Sequence, residues 1–504
     1  MARLDPIELE LFRHLMASIS DEMGIVLKKT AFSVNIKERR DYSCAVYDAR
    51  GETVAMGDHM PVHLGAMPEA VAAVMARDPR PGEVWALNDP YTGGTHLPDI
   101  TLVSRTALGF AVSRAHHADV GGMEPASLPA GSTELFQEGL IIPPTRLDDD
   151  LLGLIAANSR NPDERRGDLR AQLAAHRLAE QRVAELVERR GSERVLAAMD
   201  ALFAYSERRV RAGIAALPDG CYEAADVIEA VDRDLEIRVA VTVAGDAVDI
   251  DFDGTAAQYA GNLNCPLAVT QAACFFVVRL VTDPDIPASG GAFAPVSVRA
   301  PVGSLVNARF PAAVVAGNTE TSSRITDVVM AAFRQMVDLP AAGQGTMNNT
   351  TFGTSTWTYY ETIGGGQGAS PAADGPSAVH VAMSNALNTP VEALELSYPL
   401  RVERYGLRLG AGGDGRHRGG DGVVREIRVL EACRLSVLGD RRRHAPPGAV
   451  GGGCGERGRT LVNGEEIPGK DTRQLAPGDV VRIETPGGGG FGAPEIPRVR
   501  DREV

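Results

Sequence analysis

The sequence predicts a mixed α+β fold: large mixed or antiparallel sheets, a long helical hairpin beside them, and several interlocked domains. Three observations lead there. Two short runs, Ile100 to Val103 and Phe110 to His117, flank the tight connection Thr106 to Gly109 and read as an antiparallel hairpin. From about Pro162 to Ala216 the apolar spacing is helical, with one break at Gly191. From Cys221 onward the chain is rich in short strands and tight turns, above all in its last third. The 504 residues divide on this pattern into an α+β region (1–160), the helical hairpin (161–220), a central α+β region (221–370) and a β-rich region (371–504).

Each element has a local reason. Asp5 as N-cap, Pro6 in the first turn and the apolar series Leu11, Phe12, Leu15, Ile19 and Val26 open the chain with a packing helix. SCAVYD and ETVAMG are strands joined by the turn Asp48-Ala49-Arg50-Gly51. After the 100–117 hairpin, TELFQEGL and IIPPTRL form a connector in which Glu134 and Glu138 share a helical spacing and read as a solvated face. The helical hairpin restarts with Ser192 as N-cap, carries the stripe Val195, Met199, Leu202, Phe203 and Val210, and turns its arginines and glutamates to water. EIRVAVTVAGDAVDIDFDGT is a strand pair around Gly245-Asp246. VVAGNTETSSRITDVVMAAF is a polar loop, with Asn318, Glu320, Thr321, Ser322 and Ser323, entering an apolar helix whose amides could hold an anion or simply be capped.

Composition excludes several classes of function. A net charge of −15 and a pI near 5.2 argue against nucleic acid and anionic membrane as partners. Aromatics at 5% weaken any base-stacking role. The six cysteines include no CxxC pair and no disulfide spacing, so reduced thiols and a cytoplasmic location are expected. No basic-then-apolar leader pattern opens the chain, and no run approaches the roughly 18 apolar residues of a membrane span.

The chemistry concentrates around one stretch. Five of the ten histidines, His59, His63, His96, His116 and His117, fall between positions 59 and 117. His96 and Asp99 lie three apart in the turn THLPD, stiffened by Pro98. The open ends of the hairpin bring that corner beside His116 and His117. These two point to opposite faces, so only one of them joins His96 and Asp99. Two imidazoles and a carboxylate suit Zn, Mn or Fe(II) and leave positions open. His59 and His63, flanking Met60-Pro61-Val62, read singly as solvated loop residues, and Asp41 beside Arg39 and Arg40 reads as a surface ion pair.

Three motifs imitate familiar sites and fail on context. Asp251-Phe252-Asp253-Gly254-Thr255 resembles a phosphatase nucleophile motif but ends an antiparallel hairpin. Gly410 to Gly415 fits GxGxxG but leads into Arg416-His417-Arg418 and not into a helix. Gly464 to Lys470 fits GxxxxGK, yet Asp471 stands where a phosphate loop needs Ser or Thr.

Longer motifs carry a resemblance. NDPYTGGTHLPDITLV, RAHHADVGG, TELFQEGLIIPP, AGNTETSSRITDV, GQGTMNN, YYETIGGGQGA, NTPVEALELSYPLRVERYGLR, GRHRGGDGVVRE and TPGGGGFG together resemble the hydantoinase B/oxoprolinase family, from about residue 5 to residue 492. The resemblance implies the B-type subunit of an ATP-dependent cyclic amide hydrolase in a hetero-oligomer. An A-type ATP-binding partner, with ATP and Mg, phosphorylates the ring amide, and metal-activated water opens it. It also implies the ligand set Asp41, His96, Asp99 and His116, with His116 favoured over His117 by the alignment of AHHAD. Asp119 or His117 would then orient the ligands, and His59 or His63 would move protons. Two other readings stay open: a carboxylase subunit related to acetone carboxylase, and a non-catalytic scaffold around a structural metal.

Overall fold

The computed structural model describes residues 4–57, 60–63 and 65–494. The first helix, α1 (Pro6–Thr30), starts as expected, with the Asp5 side chain accepting from the Ile7 amide, and the short α2 (Val34–Lys37) follows. A six-stranded sheet comes next, built from β1 (Tyr42–Asp48), β2 (Thr53–Met56), β3 (Val84–Leu87), β4 (Asp99–Arg105), β5 (Gly109–His116) and β6 (Thr145–Arg146). Its order is β2-β1-β5-β4-β3-β6, and every pair is antiparallel. Both faces of its centre are covered. Cys44, Val46, Ala111 and Ala115 pack under α1 and the long helix α5 (Pro162–Arg190). Ala45, Tyr47, Phe110 and Val112 face α3 (Met67–Met75) on the other side. That double cover is why β1 and β5 are buried at every position and do not alternate with solvent.

The helical hairpin forms as α5 and α6 (Ser192–Ile214), preceded by α4 (Asp149–Ala157). Two expectations about it change. Gly191, at φ +79°, occupies the N-cap position, and Ser192 is already the first helical residue. Its polar face is not wholly solvated, because Arg165, Asp168, Gln172 and His176 turn toward the sheet and are buried. They tie the helix to strands beneath it through bonds such as Gln172 Nε2 to the Ile100 carbonyl at 3.2 Å.

The remaining strands form three sheets. β7 (Gly220–Glu229), β8 (Asp234–Ala244), β9 (Ala247–Asp251) and β10 (Val296–Arg299) pair in the order β10-β9-β8-β7, with β9 and β10 parallel. The inward side chains of β8, Leu235 to Val243 at every second position, pack against α7 (Leu267–Val281) and α8 (Ser322–Phe333). The last two sheets use β11 (Asn349–Gly353), β12 (Thr358–Glu361), β13 (Leu400–Arg408), β14 (Gly422–Val429), β15 (Cys433–Leu438), β16 (Arg459–Val462), β17 (Glu465–Ile467), β18 (Lys470–Leu475) and β19 (Val480–Glu484). They are ordered β12-β11-β15-β18 and β13-β14-β19-β16-β17 and share one core, in which Phe352 and Leu435 meet Ile427 and Ile483.

The glycine-rich stretches are packing, not phosphate loops. Gly413 donates to the Gly488 carbonyl and Gly488 donates to the Gly420 carbonyl, both at 2.9 Å. A Cβ on Gly488 would stand 2.0 Å from the Gln367 carbonyl oxygen, so only glycine lets these chains lie side by side. Among the described residues no helix is long and apolar enough to cross a membrane.

Candidate metal centre

The sheet register builds the site. Asp99 and His116 are direct partners across the antiparallel pair β4–β5, so their side chains leave the same face at neighbouring positions. His96 reaches the same point from the preceding turn, which the Asp99 amide closes on the His96 carbonyl at 3.0 Å. That turn is held from behind. Asn88 donates to the carbonyls of Leu97 (2.7 Å) and Leu140 (2.9 Å) and accepts from the Ile142 amide (2.7 Å). Buried Arg114, two residues before His116, donates to the Gly93 carbonyl at 2.6 Å. Gly93 itself has φ +89°, and a Cβ there would lie 2.4 Å from the Ala70 nitrogen.

Three ligand atoms converge. His96 Nε2 and Asp99 Oδ1 are 3.0 Å apart, His116 Nδ1 and Asp99 Oδ1 are 3.0 Å apart, and the two nitrogens are 3.1 Å apart. Two neutral imidazoles facing one carboxylate oxygen supply at most two protons for those three edges, whereas one cation satisfies all three. Donors that share an ion with bonds of about 2.0–2.2 Å are expected at such separations. Among the described residues this is the one group of metal-type side chains whose ligand atoms fall within 4.8 Å of one another. The outer nitrogens, His96 Nδ1 and His116 Nε2, are buried and have no protein partner.

The surroundings fix its charge. Burial alone would raise the Asp99 carboxyl. The charge of His96 and hydrogen bonds from His116, His63 and His96 outweigh that and hold it well below the usual carboxylate range. Thr95 Oγ1 donates to its second oxygen at 2.6 Å. Burial works to lower the pKa of His96, but the Asp99 charge overcomes it, and the net direction is upward. His116 stacks on the Tyr360 ring at 4.6 Å between centroids, and the Arg39 guanidinium lies over that ring at 5.1 Å.

The other expected residues divide. His63 is buried, not solvated: its Nε2 stands 3.4 Å from Asp99 Oδ2, its Nδ1 is 2.9 Å from Ser43 Oγ, and burial lowers its pKa. His59 lies outside the described residues. Asp41 is buried just before β1 and is not a surface ion pair. Its carbonyl accepts from the His116 amide at 3.0 Å, and its charge acts on His96 and His63, but its carboxylate stays outside the group of three. His117 points to the opposite face, where Arg165 Nη1 lies 2.7 Å from its Nδ1 and Gln172 Oε1 lies 3.0 Å from its Nε2. Burial and the Arg165 charge push its pKa well down. Asp119 accepts from the amides of Gly121, Ala126 and Arg160 and from the Arg160 guanidinium. His116→Gln is therefore expected to lose bound metal and His117→Gln to keep it, measured as metal per chain after gel filtration.

Two acids that the sequence places on a solvated face and in a polar loop are buried. Glu138 is not on a solvated face: it accepts from Ser132 Oγ and the Val314 and Val315 amides, and burial pushes its pKa up to about 7. Glu320 belongs to a π-helical turn, Gly317–Thr321, that runs directly into α8, so the expected exposed loop is a buried helix start. Its Oε1 accepts from Asn349 Nδ2 at 3.1 Å, Asn349 Oδ1 accepts from the Tyr360 hydroxyl at 2.9 Å, and burial pushes its pKa up to about 7. A carboxyl raised from 4.5 to about 7 gives its full stability below pH 4.5 and loses it as pH rises to about 7. Relative to wild type, Glu320→Gln should thus gain stability across that window and hold the gain above it, read from urea midpoints at pH 5 and pH 8.

The fold and this centre define a class: a mixed α+β protein with a buried site of two histidines and one carboxylate. The chain belongs to the Hydantoinase B/oxoprolinase family, which it matches over residues 5–494. It is 37% identical to 5-oxoprolinase 1 of Arabidopsis thaliana over 97% of its own length and 42% of that protein's. It therefore spans about two-fifths of the 5-oxoprolinase. It is 30% identical to a putative B-type subunit of a D-/L-hydantoinase from Pseudomonas sp., over 98% of this chain and 91% of that one. The crystal structure of ATP-dependent caprolactamase from Pseudomonas jessenii superposes with a TM-score of 0.90 at 28% identity, over 97% of this chain and 91% of that one.

Proposed function

We propose that this chain is the ring-opening, B-type subunit of an ATP-dependent cyclic amide hydrolase. An A-type partner would transfer the γ-phosphoryl group of ATP to the ring-amide oxygen, leaving ADP. One water adds to the carbon bearing that oxygen as the ring C–N bond breaks, and a second releases phosphate. His96, Asp99 and His116 would hold the ion that activates water. The observation that carries the reading is the three-atom convergence at 3.0–3.1 Å on a family chain. The hydantoinase, 5-oxoprolinase and caprolactamase named among its relatives all act on ring amides. A divalent ion held there would lower the pKa of water and so supply hydroxide at neutral pH.

The chain's own residues do the rest. Asp99 would hold the ion through Oδ1, which faces His96 and His116, while Oδ2 stays on Thr95 and His63. His63, neutral because burial lowers it, faces Asp99 through Nε2 and Ser43 through Nδ1 and would move protons between them. Asp41, buried with its carbonyl on the His116 amide, would be the fourth ligand. His117 and Asp119 hold the hairpin end against α5 and act on the centre only through position. The test is reconstitution with the A-type partner and ATP on hydantoin, 5-oxoproline and caprolactam. Ring opening of at least one, dependent on both subunits, is expected. Turnover by the partner alone would defeat the proposal.

A further inference from the structure

A ligating imidazole is ordinarily held twice, by the ion at one nitrogen and by a hydrogen bond at the other that fixes the orientation of the ring. His116 lacks the second hold. Its Nδ1 faces Asp99 Oδ1 at 3.0 Å, while its Nε2 is buried and has no partner among the described residues. The torsion that turns a histidine ring is soft and roughly two-fold, so packing has to choose its angle. What lies against the ring is Tyr360: the centroids are 4.6 Å apart and the planes 29° from parallel.

Tyr360 comes from another sheet and is itself fixed. It lies buried in β12, opposite Thr351 of β11. Its hydroxyl donates to Asn349 Oδ1 at 2.9 Å, and Asn349 Nδ2 donates to Glu320 Oε1 at 3.1 Å, so the ring is pinned at its far end. The buried Arg39 guanidinium lies over the same ring, 5.1 Å from its centre. Arg39 also grips the end of that strand: Nη1 donates to the Tyr360 carbonyl at 3.0 Å, and Nη2 donates to Thr362 Oγ1. Two residues after it stands Asp41, whose amide bonds to the Asn35 carbonyl at 3.1 Å and whose carbonyl accepts from the His116 amide at 3.0 Å. The turn between them is tight, with Arg40 at φ +57°. Arg39 therefore ties the segment bearing Asp41 to the strand bearing Tyr360.

We propose that Tyr360 and Arg39 are positioning residues of the metal centre: the face of Tyr360 sets the plane of the His116 imidazole, and Arg39 fixes both that ring and the approach of Asp41. A side chain present only to fill the core could be replaced by any apolar group of similar bulk. One that sets the plane of an imidazole needs a flat face to stack on it. The inference rests on the metal-dependent reading of this chain and is tested by metal binding, apart from turnover.

The test loads the full chain with cobalt(II), measures affinity by competition with a chromophoric chelator, and reads ligand geometry from the visible absorption of the bound ion. Tyr360→Phe keeps the flat face and loses the hydroxyl, Tyr360→Leu loses the face, and Arg39→Met loses the clamp at similar volume. All are measured on folded protein from gel filtration, so that lost stability alone leaves affinity and spectrum unmoved. Tyr360→Phe should stay within about threefold of wild type with the same spectrum, and Tyr360→Leu should bind at least about tenfold more weakly with shifted bands. Arg39→Met should follow Tyr360→Leu, and it decides the matter if Tyr360→Leu does not fold. Wild-type affinity and spectrum in the folded Tyr360→Leu or Arg39→Met protein overturns the proposal, and so does equal weakening in Tyr360→Phe and Tyr360→Leu. Cobalt bound by neither wild type nor variants would defeat the metal reading and this proposal together. Shifts as expected, with no ring opening in the reconstituted complex, would defeat the catalytic reading alone.

Discussion

Asp99→Ala is expected to reduce ring-opening turnover by more than 100-fold while leaving assembly with the A-type partner intact. The carboxylate is the hub of the site: His96, His116 and His63 all face it, and Thr95 caps it. Loss of an outer partner of a metal site already costs roughly 10–100-fold, and Asp99 is a direct ligand in this account. Its removal takes away the one anionic ligand atom among the three, so the two imidazoles left hold a cation less well. At 1% exposure Asp99 offers nothing to a protein partner, which is why complex formation should survive. Steady-state ring opening and the mass of the complex by light scattering check both halves. A variant that keeps a tenth of wild-type turnover would remove Asp99 from the chemistry.

Arg165→Met should destabilise the chain by about 3–5 kcal/mol without removing metal, the usual cost of stranding one partner of a buried pair. The guanidinium is fully buried between α5 and the end of β5. It bonds to Asp168 Oδ2 at 3.1 Å, to the Asp119 carbonyl at 3.0 Å and to His117 Nδ1 at 2.7 Å. Methionine fills much of the same volume but leaves the Asp168 carboxylate short of its cation. Asp168 in turn receives the Phe32 and Ser33 amides, so the joint between α1 and α5 is expected to loosen as well. The readouts are the urea midpoint of unfolding and the metal content of the folded fraction. Loss of metal at unchanged stability would show that His117 belongs to the centre and not to the frame behind it.

These two residues mark what sequence makes visible and what it hides. The pairing of Asp99 with His116 follows from counting back from a short turn, because strand geometry alternates faces and a hairpin fixes register. The same alternation sends His117 away from His116. The stretch from Asn88 to Gly122 is legible for that reason, and Asp41 gains its place only from the resemblance to a family. Arg165 is hidden because a charge on a helix normally faces water, and its partners Asp119 and His117 lie more than 40 residues earlier. Glu138 is hidden in the same way. Its spacing from Glu134 suggests one helical face, but a short 3-10 turn intervenes, and the amides it receives lie 176 and 177 residues later. Arg39 and Tyr360 meet across 321 positions, a separation no local pattern reports. The glycine motifs fail as phosphate loops on sequence context alone: Gly412, Gly413 and Gly415 lie against neighbouring backbone, while Gly410 and Gly464 sit at positive φ in turns.

The central claim is that His96, Asp99 and His116 hold a divalent cation, and elemental mass spectrometry tests it most directly. The samples are wild-type protein purified without chelator and His96→Ala prepared beside it. Near-stoichiometric Zn, Mn or Fe in the wild type, lost in the variant, is the result this account predicts. No metal in either sample after reloading would contradict it, and so would equal metal in both.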